Sequence, residues 1–464
     1  MPAPAAANRL TYDDDLFLRT RRVLGVPVVN QTIWRVPAPL DRDRLAALHR
    51  HLARGRLARV AVPPRVPGAR PRWVRSGVVA PLVVDEAPVA PDAVLAWADA
   101  AVAGTDLDPV GGPGWALRAA TTADGGTVLS FLTSHVVADG GAHLGAIVEA
   151  VRGETVPRLP VDDLAALETT RRDDLRDAAA QVGRAARGVA TAVRRSRSPR
   201  PATPLEGAQR SEDTPPRRPA PGDEATYVVP TVVVDCPAEA WEAAARRHGG
   251  SANTLLIALT VEVLLATGRV EAGRPVRAAV PVNLREGAAD LRSNATSGVS
   301  VAVPTTLVGG VDGVGRVTDL AAVRDATRVE LASRAAGTRH DPLEPLKPLL
   351  QVLPDRAVAR LARDNAAPLC LASNLGELAE EYAAPLGVRP TSVMMRSVTP
   401  GVTRGQMRRT RGGLSSWWSR HGDRATLSLV CLDPGLVPGP DGPARLRGTV
   451  LEAFARWEVP AEAW

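Results

Sequence analysis

Cysteine, lysine and aromatic residues are scarce in this chain of 464 residues. It has three cysteines, a single lysine, Lys347, and only 3% aromatic residues. The cysteines lie far apart, each in or beside an apolar run, and form no CxxC pair; they are Cys236, Cys370 and Cys431. We therefore expect buried thiols in a reducing compartment and no structural zinc site. The low aromatic content also leaves few platforms for stacking nucleic-acid bases.

Long apolar runs are absent as well. No run approaches the roughly 18 residues that span a bilayer. The N-terminal stretch has no charged head followed by a long apolar segment, so it does not resemble a signal peptide. We therefore expect a soluble, cytoplasmic protein.

The charge balance is basic, with a formal net charge of +7 and a pI near 10.2. A basic chain can bind nucleic acid or an anionic membrane. Here no nucleic-acid recognition motif accompanies the charge. The prevalence of arginine together with alanine, glycine, proline and valine is instead typical of GC-rich coding. We expect no nucleic-acid partner, whereas peripheral contact with a membrane stays open.

The length predicts two domains, because a single hydrophobic core rarely grows to this size. Residues 1–165 form the first predicted lobe and residues 225–464 the second, with predicted strands and helices mixed in both. Residues 166–224 are predicted to form a charged helix followed by a linker rich in proline and arginine. The mixture of elements favours an α/β (α+β) fold class.

One segment concentrates positive charge. Between Gln181 and Pro204 no residue is acidic, and six are arginines: Arg184, Arg187, Arg194, Arg195, Arg197 and Arg200. One interpretation is a tether to an acidic partner or a membrane surface. We favour a solvated helix that continues into the interdomain linker.

A histidine directly follows a predicted strand. The apolar stretch 127–134 is typical of a buried strand, and residues 142–151 have the spacing of a helix. His135 stands between them, and an Asp-Gly-Gly sequence begins four residues later. A neutral imidazole on a rigid strand end can take a proton from a hydroxyl or an amine near pH 7. It can then return that proton to a leaving group such as a thiol. The alternative is a buried core histidine with satisfied hydrogen bonds.

Asp139 has three interpretations. It could orient the imidazole of His135, as the acid of a catalytic triad does. It could bind a metal with His135 and His143, but Gly140 and Gly141 interrupt the helix that would align these residues, and we expect no metal site. It could also point away and pair with a distant cation, because a buried carboxylate needs such a partner. The two glycines permit tight backbone geometry or close approach of a substrate.

The stretch SHVVADG (134–140) resembles the HHxxxDG motif of the CoA-dependent acyltransferase superfamily. That group includes peptide-synthetase condensation domains and wax ester synthase/diacylglycerol acyltransferases. Ser134 replaces the first histidine of the motif, and His135 matches the second, to which the catalytic role belongs. Further segments resemble the wax ester synthase branch in the same order: LTYDDDLFLR (10–19), DPVGGPGWALRAA (108–120), GSANTLLIALTVEVL (250–264), VPVNLRE (280–286) and SNLGEL (373–378).

The resemblance implies two chloramphenicol-acetyltransferase-like domains arranged as a V-shaped pseudo-dimer. His135 would be a general base midway along a tunnel between them. An acyl thioester on CoA or on an acyl carrier protein would enter at one mouth, and a small-molecule acceptor with a hydroxyl or an amine at the other. No resident cofactor is implied, because CoA or phosphopantetheine enters as part of the substrate.

The resemblance also implies roles for further residues. Asp139 and Gly140 belong to the catalytic motif with His135, and Arg285 would be the cation that pairs with Asp139. Donors to the oxyanion would come from the amides of the two glycines or from a strand end; the candidates are Gly140, Gly141, Ser373 and Asn374.

Two alternative functions stay open. One is amide formation on carrier-bound substrates in natural-product biosynthesis, and the other is a non-catalytic scaffold that retains the fold. The replacement of the first motif histidine by Ser134 and the departure of SNLGEL from the family's SNxxGP segment motivate the scaffold alternative.

Overall fold

The computed structural model describes residues 8–154, 170–197, 205, 207–213, 221–287, 289–308, 314–337, 344–362 and 367–464. Its helices are α1 (Tyr12–Leu24), α2 (Arg42–Leu52), α3 (Val94–Ala103), α4 (Gly140–Arg152), α5 (Thr170–Ser196), α6 (Ala238–Arg247), α7 (Ala252–Ala266), α8 (Leu320–Ala335), α9 (Lys347–Val352), α10 (Asp355–Ala362), α11 (Glu380–Ala383), α12 (Arg404–Thr410) and α13 (Gly442–Arg456).

The strands are β1 (Val29–Val36), β2 (Arg59–Val62), β3 (Arg72–Arg75), β4 (Val83–Val89), β5 (Trp115–Thr122), β6 (Thr127–Ser134), β7 (Thr231–Pro237), β8 (Val276–Asn283), β9 (Thr296–Val303), β10 (Thr306–Val308), β11 (Val314–Arg316), β12 (Cys370–Glu377), β13 (Ser392–Val398), β14 (Leu414–His421), β15 (Arg424–Cys431) and β16 (Glu462–Ala463). Two short hairpins pair β2 with β3 and β10 with β11.

Most of the strands form two large sheets. The first has the order β13-β1-β6-β5-β4, and the second has the order β16-β7-β15-β14-β12-β8-β9. Parallel pairs join β4 to β5 and β12 to both β8 and β14, and the remaining neighbours are antiparallel. Mixed sheets with helices packed against them confirm the predicted α/β (α+β) class.

The central strand of the first sheet positions the histidine. β6 lies between β1 and β5, and all eight of its residues are buried. A strand covered on both faces has an unbroken run of apolar and small residues, which is why the sequence predicts it with the observed bounds. His135 therefore follows the innermost strand, just before α4 begins at Gly140.

A strand from late in the chain completes the first sheet. β13 pairs antiparallel with β1, with Val398 opposite Val29. Its Arg396 is buried and donates Nε to the side-chain oxygen of Gln31 at 2.9 Å and Nη1 to the hydroxyl of Thr231 at 2.7 Å. Because Gln31 is in β1 and Thr231 is in β7, this one side chain ties the two sheets together.

The second core surrounds α7. Its residues from Thr254 to Leu264 are all buried, and Ser251 caps the helix in a capping box with Thr254. The sequence predicts this helix over residues 251–268, which is within two residues of the observed bounds. The three cysteines are free and buried, as predicted, and burial raises the pKa of each thiol to about 12.

Two strands differ from what the sequence predicts. The apolar pattern predicts a strand over 225–236, but the observed strand β7 begins only at Thr231, because the preceding residues form turns and an isolated bridge. The sequence does not predict the strand β14, because buried serines lie on both of its faces: Ser415 and Ser419 on one, and Ser416 on the other. Partner strands on both sides, rather than an apolar pattern, hold it in the sheet.

The charged segment that precedes the predicted linker forms the 27-residue helix α5. Its inner face includes the buried Asp174, which accepts hydrogen bonds from Arg72 at 2.8 Å and the main-chain N–H of Arg65 at 2.8 Å. Of the arginine-rich stretch, Arg187, Arg194, Arg195 and Arg197 are exposed, and Arg200 lies outside the described residues.

In the described ranges, no single helix has the length and apolar composition to cross a membrane. The pair α6 and α7, bent at 84°, meets those two criteria only when its helices are joined.

Candidate functional site

The turn after β6 is fixed by main-chain hydrogen bonds. The N–H of His135 donates to the carbonyl of Val28 at 2.9 Å, and the carbonyl of Ser134 accepts from the N–H groups of Val137 and Ala138. Asp139 is the N-cap of α4, where its Oδ1 accepts from the N–H of Ala142 at 2.9 Å. The main chain at His135 is therefore held in place by hydrogen bonds in which the imidazole takes no part.

The carboxylate of Asp139 is buried and surrounded by donors. Its Oδ2 accepts from Arg285 Nη1 at 3.0 Å, from the N–H of Ala295 at 2.8 Å and from the hydroxyl of Thr296 at 2.7 Å. Arg285 Nη2 also lies 2.7 Å from Oδ1 in an ion pair. Burial is the largest single influence and opposes ionisation. Arg285, the N–H of Ala142 and the hydroxyl of Thr296 together outweigh it, so the pKa of Asp139 lies below its ordinary value.

These contacts bear on the three interpretations of Asp139. Among the described residues, its hydrogen-bond partners come from α4, from Arg285 and from the start of β9, and the imidazole of His135 is not one of them. The geometry is that of a carboxylate that holds the turn by pairing with a distant cation. Arg285, 146 positions later, is brought directly to it.

The two glycines after Asp139 differ in their surroundings. A Cβ atom on Gly141 would lie 2.5 Å from Arg285 Nη1, whereas one on Gly140 would meet only Leu375, at 3.8 Å. Gly141 therefore makes room for the arginine, while Gly140 has ordinary contact distance around it. Both occupy the first turn of α4, where a main-chain N–H has no partner within the helix.

His135 is half-buried and held on two sides. Its Nδ1 lies 3.1 Å from Asn294 Oδ1, and the ring of Phe17 stacks on the imidazole with a centroid distance of 3.7 Å and an interplanar angle of 21°. Burial lowers the pKa of His135 below its ordinary value, and the charge of Asp139 only partly opposes this. The ring is therefore neutral at pH 7, which is the state that a general base needs.

Asn294 connects this histidine to the first helix. It is buried, and its Nδ2 donates to Asp14 Oδ1 at 2.9 Å and to the carbonyls of His135 at 3.1 Å and Val136 at 3.2 Å. Neither Asn294 nor Phe17 is predicted from the sequence, because an asparagine between two predicted strands is usually a turn residue. The acidic run at the start of the family-like segment 10–19 was the available signal.

The predicted strand-end donors, Ser373 and Asn374, do not contact the imidazole of His135 through any hydrogen bond of the described residues. Ser373 is buried in β12, and Asn374 is exposed, with its Oδ1 accepting from the N–H of Gly376 at 2.8 Å. The hydrogen bonds of the described residues do not join either side chain to His135. It is Leu375 that packs against the core of the first lobe, beside Gly140.

His143 is a different kind of histidine. It is fully buried, with Nδ1 2.8 Å from the hydroxyl of Thr133 and Nε2 2.9 Å from that of Thr32, and burial lowers its pKa to about 3. Both ring nitrogens are therefore occupied by hydroxyl groups. The described part of the chain has no group of three or more histidine, cysteine, aspartate or glutamate side chains that could hold a metal ion.

No protein-family model and no curated protein matches this chain. Solved structures do match it over nearly its whole length. The first condensation domain of the calcium-dependent antibiotic synthetase, in complex with a substrate analogue, aligns at 15% identity with a TM-score of 0.57, covering 98% of this chain and 99% of that one. The chain has the condensation-domain fold.

Structures of proteins other than condensation domains also match this fold. The wax ester synthase/diacylglycerol acyltransferase from Marinobacter aquaeolei VT8 aligns at 14% identity with a TM-score of 0.53, covering 97% of this chain and all of that one. The cyclization-docking bidomain of EpoB from Sorangium cellulosum aligns at 15% identity with a TM-score of 0.54, covering 98% of this chain and 87% of that one. At these identities the likeness establishes the fold, and the function is argued from the site.

Proposed function

We propose that this protein is an acyltransferase that moves an acyl group from a thioester to a hydroxyl or an amine, with His135 as the general base. The observation that carries the proposal is the state of that imidazole. It stands at the end of a central strand, its Nδ1 is held by Asn294, and burial keeps it neutral. The condensation-domain fold supports the same reaction class.

The reaction needs one proton acceptor that later becomes a donor. His135 takes the proton from the acceptor's hydroxyl or amine while the oxygen or nitrogen attacks the thioester carbonyl carbon. The tetrahedral intermediate then collapses, the carbon–sulfur bond breaks, and the imidazolium returns the proton to the departing thiolate. Holding both reactants beside one base adds proximity to proton transfer.

The other residues of the motif serve this step indirectly. Asp139 holds the turn through Arg285 and does not exchange protons with the substrate. The N–H groups of Gly140 and Gly141, at the positive end of the α4 dipole, are the donors that we assign to the oxyanion. Ser373 and Asn374 are further candidates, and the position of Leu375 beside Gly140 supports a substrate contact from this segment.

No resident cofactor enters the proposal, because CoA or phosphopantetheine arrives with the acyl group. The net charge of +7 suits either the phosphates of CoA or an acidic carrier protein. We propose small-molecule acceptors, no nucleic-acid partner and a cytoplasmic location, with peripheral membrane contact as a further option for the arginine-rich end of α5.

A second candidate is amide formation on carrier-bound substrates. The match to a condensation domain over 98% of this chain favours it. Donors presented on CoA and on a phosphopantetheinylated carrier protein distinguish the two candidates. Turnover only with carrier-bound donors and amine acceptors supports condensation, and turnover with CoA donors supports the leading proposal.

The test is release of free thiol from a panel of acyl thioesters offered with mixed hydroxyl and amine acceptors. We expect His135→Ala to lower the rate by about 100-fold or more, the lower end of what a general base contributes. His51→Ala is the matched control, because this partly buried histidine hydrogen-bonds the carbonyl of Ala150 away from the site. Undiminished turnover in His135→Ala refutes the mechanism, and no thiol release with any donor supports the non-catalytic scaffold.

A further inference from the structure

We propose that Asn294 is a positioning residue that fixes the tautomer of His135. In this assignment Nδ1 carries the proton, and the lone pair of Nε2 is left for the incoming acceptor. The inference rests on the proposed role of His135 as the base. It adds Asn294, which is 159 positions from His135 in the sequence, to the residues that make this histidine a base.

The surroundings of the asparagine amide decide which of its ends faces the ring. One end lies within 3.2 Å of three oxygens. Two of them, the carbonyls of His135 and Val136, can only accept, and the third, Asp14 Oδ1, already accepts from the main-chain N–H of Asn294. The NH₂ group suits this end, because its two hydrogens can be donated to these oxygens, whereas an amide oxygen placed there would face two carbonyl oxygens with no hydrogen between them. The oxygen of Asn294 therefore faces His135.

The tautomer follows from that orientation. An amide oxygen can only accept, so the nitrogen that it meets at 3.1 Å, Nδ1, must carry the proton. In a neutral imidazole the other nitrogen is then unprotonated. Nε2 is thus the basic atom, and it becomes so through a hydrogen bond made on the opposite side of the ring.

Phe17 cannot make this choice alone. Its ring stacks on the imidazole and fixes the plane, but a 180° rotation of the imidazole about its bond to Cβ keeps the same plane. The hydrogen bond with Asn294 distinguishes the two orientations, because only one of them presents Nδ1. The main-chain carbonyl of His135 also accepts a hydrogen bond from the ring and favours the same orientation. Stacking on Phe17 therefore fixes the plane of the ring, and the hydrogen bond with Asn294 fixes which edge of the ring carries Nδ1.

Helix α1 supplies the stacking ring and a carboxylate that contacts Asn294. Asp14 and Phe17 are three residues apart, so they lie on one side of the helix. Asp14 is buried and is itself fixed, with Oδ2 accepting from the N–H of Thr11 at 2.8 Å and Oδ1 accepting from the N–H of Asn294 at 3.1 Å. Hydrogen bonds thus connect the start of α1 to Asn294, and Asn294 to His135.

Nitrogen-15 NMR of histidine-labelled protein measures the tautomer directly. The chain has seven histidines, and His135→Gln assigns the signal of interest by its loss. Above the pKa of His135 we expect protonated Nδ1 and unprotonated Nε2 in the unaltered protein. We expect Asn294→Leu to shift the population toward protonated Nε2. We also expect it to lower kcat/KM by about 10- to 100-fold, the range found when the group orienting a functional imidazole is lost.

Asn30→Leu is the matched control. Asn30 is also buried and donates to the carbonyl of Ala138 in the same turn at 2.8 Å, but its side chain does not bond the imidazole. We expect this variant to keep the tautomer of the unaltered protein. If Asn294→Leu does not fold, Asn294→Ala replaces it, because the smaller side chain also removes the amide oxygen that meets Nδ1.

A signal from protonated Nε2 in the unaltered protein overturns the assignment, whatever the variants do. So does a folded Asn294→Leu protein with unchanged tautomer and unchanged kcat/KM. The proposed function fails separately: if the tautomer is as assigned and shifts in the variant while no thioester is turned over, Asn294 positions the ring and acyl transfer is wrong.

Discussion

The surroundings of His135 and His143 differ although the two residues are eight positions apart and burial lowers the pKa of both. His143 lies at zero exposure with each ring nitrogen bonded to a threonine hydroxyl. His135 is half-buried, with one nitrogen held by Asn294. A lowered pKa is therefore shared by a structural histidine and the proposed general base, and the number of ring nitrogens occupied by side chains of the described residues separates them. Substitutions at His143, at Asp139 and at the two glycines between the histidines test this separation.

The largest expected effect comes from Asp139→Asn, which breaks the ion pair that holds the turn of His135. Removing one partner of a buried pair typically costs about 3–5 kcal/mol, because the other charge, here Arg285, is left uncompensated. Thermal and denaturant unfolding measure the loss. A melting temperature like that of the unaltered protein, combined with a large rate loss, contradicts the structural role and favours an orienting acid.

His143→Leu should destabilise the protein with little effect on the turnover of the folded fraction. The hydroxyl of Thr133 loses its partner in a buried site, at a cost of about 1–3 kcal/mol. The double variant His143→Leu/Thr133→Val removes both members of this pair, and Thr32 keeps the hydroxyl of Tyr382 as a partner at 2.6 Å. The double variant should therefore recover most of the loss, which a double-mutant cycle by denaturant unfolding measures. Lost turnover in folded His143→Leu means that this histidine, too, has a functional role.

Gly141→Ala and Gly140→Ala form a matched pair on the helix between the two histidines. The added methyl group at 141 would lie 2.5 Å from Arg285 Nη1, so the arginine must shift, at a cost of about 1–3 kcal/mol. The methyl group at 140 meets only Leu375 at 3.8 Å and should be nearly neutral. Unfolding of the two variants side by side checks this, and equal losses contradict the role assigned to Gly141.

The pH dependence of stability should also distinguish His143. Its folded pKa of about 3 lies below the ordinary value of 6.5, so between these limits the unfolded chain binds the additional proton. Stability from this residue is complete above pH 6.5 and is lost as the pH falls, by up to about 1.4 kcal/mol per pH unit. The difference in unfolding free energy between the unaltered protein and His143→Leu, followed from pH 7 to pH 4, should show this slope. A constant difference contradicts the assignment.

The sequence predicted the strand that carries His135, because a strand buried on both faces has an unbroken apolar run. It could not predict Asn294 or Phe17, since their importance comes from a contact between segments more than 100 positions apart in the chain. The pairing partner of Arg285 came from a family resemblance rather than from any local pattern. Strand β14 was not predicted, because several of its buried residues are serines and the segment therefore lacks an apolar pattern.

The placement of β13 has a consequence for how this protein is made. Until residue 398 leaves the ribosome, β1 is an open sheet edge with unpaired main-chain groups, and such edges recruit other chains. The first lobe must therefore wait for most of the polypeptide before its sheet is complete. Expressed alone as residues 1–165, it would lack its outermost strand and would tend to aggregate.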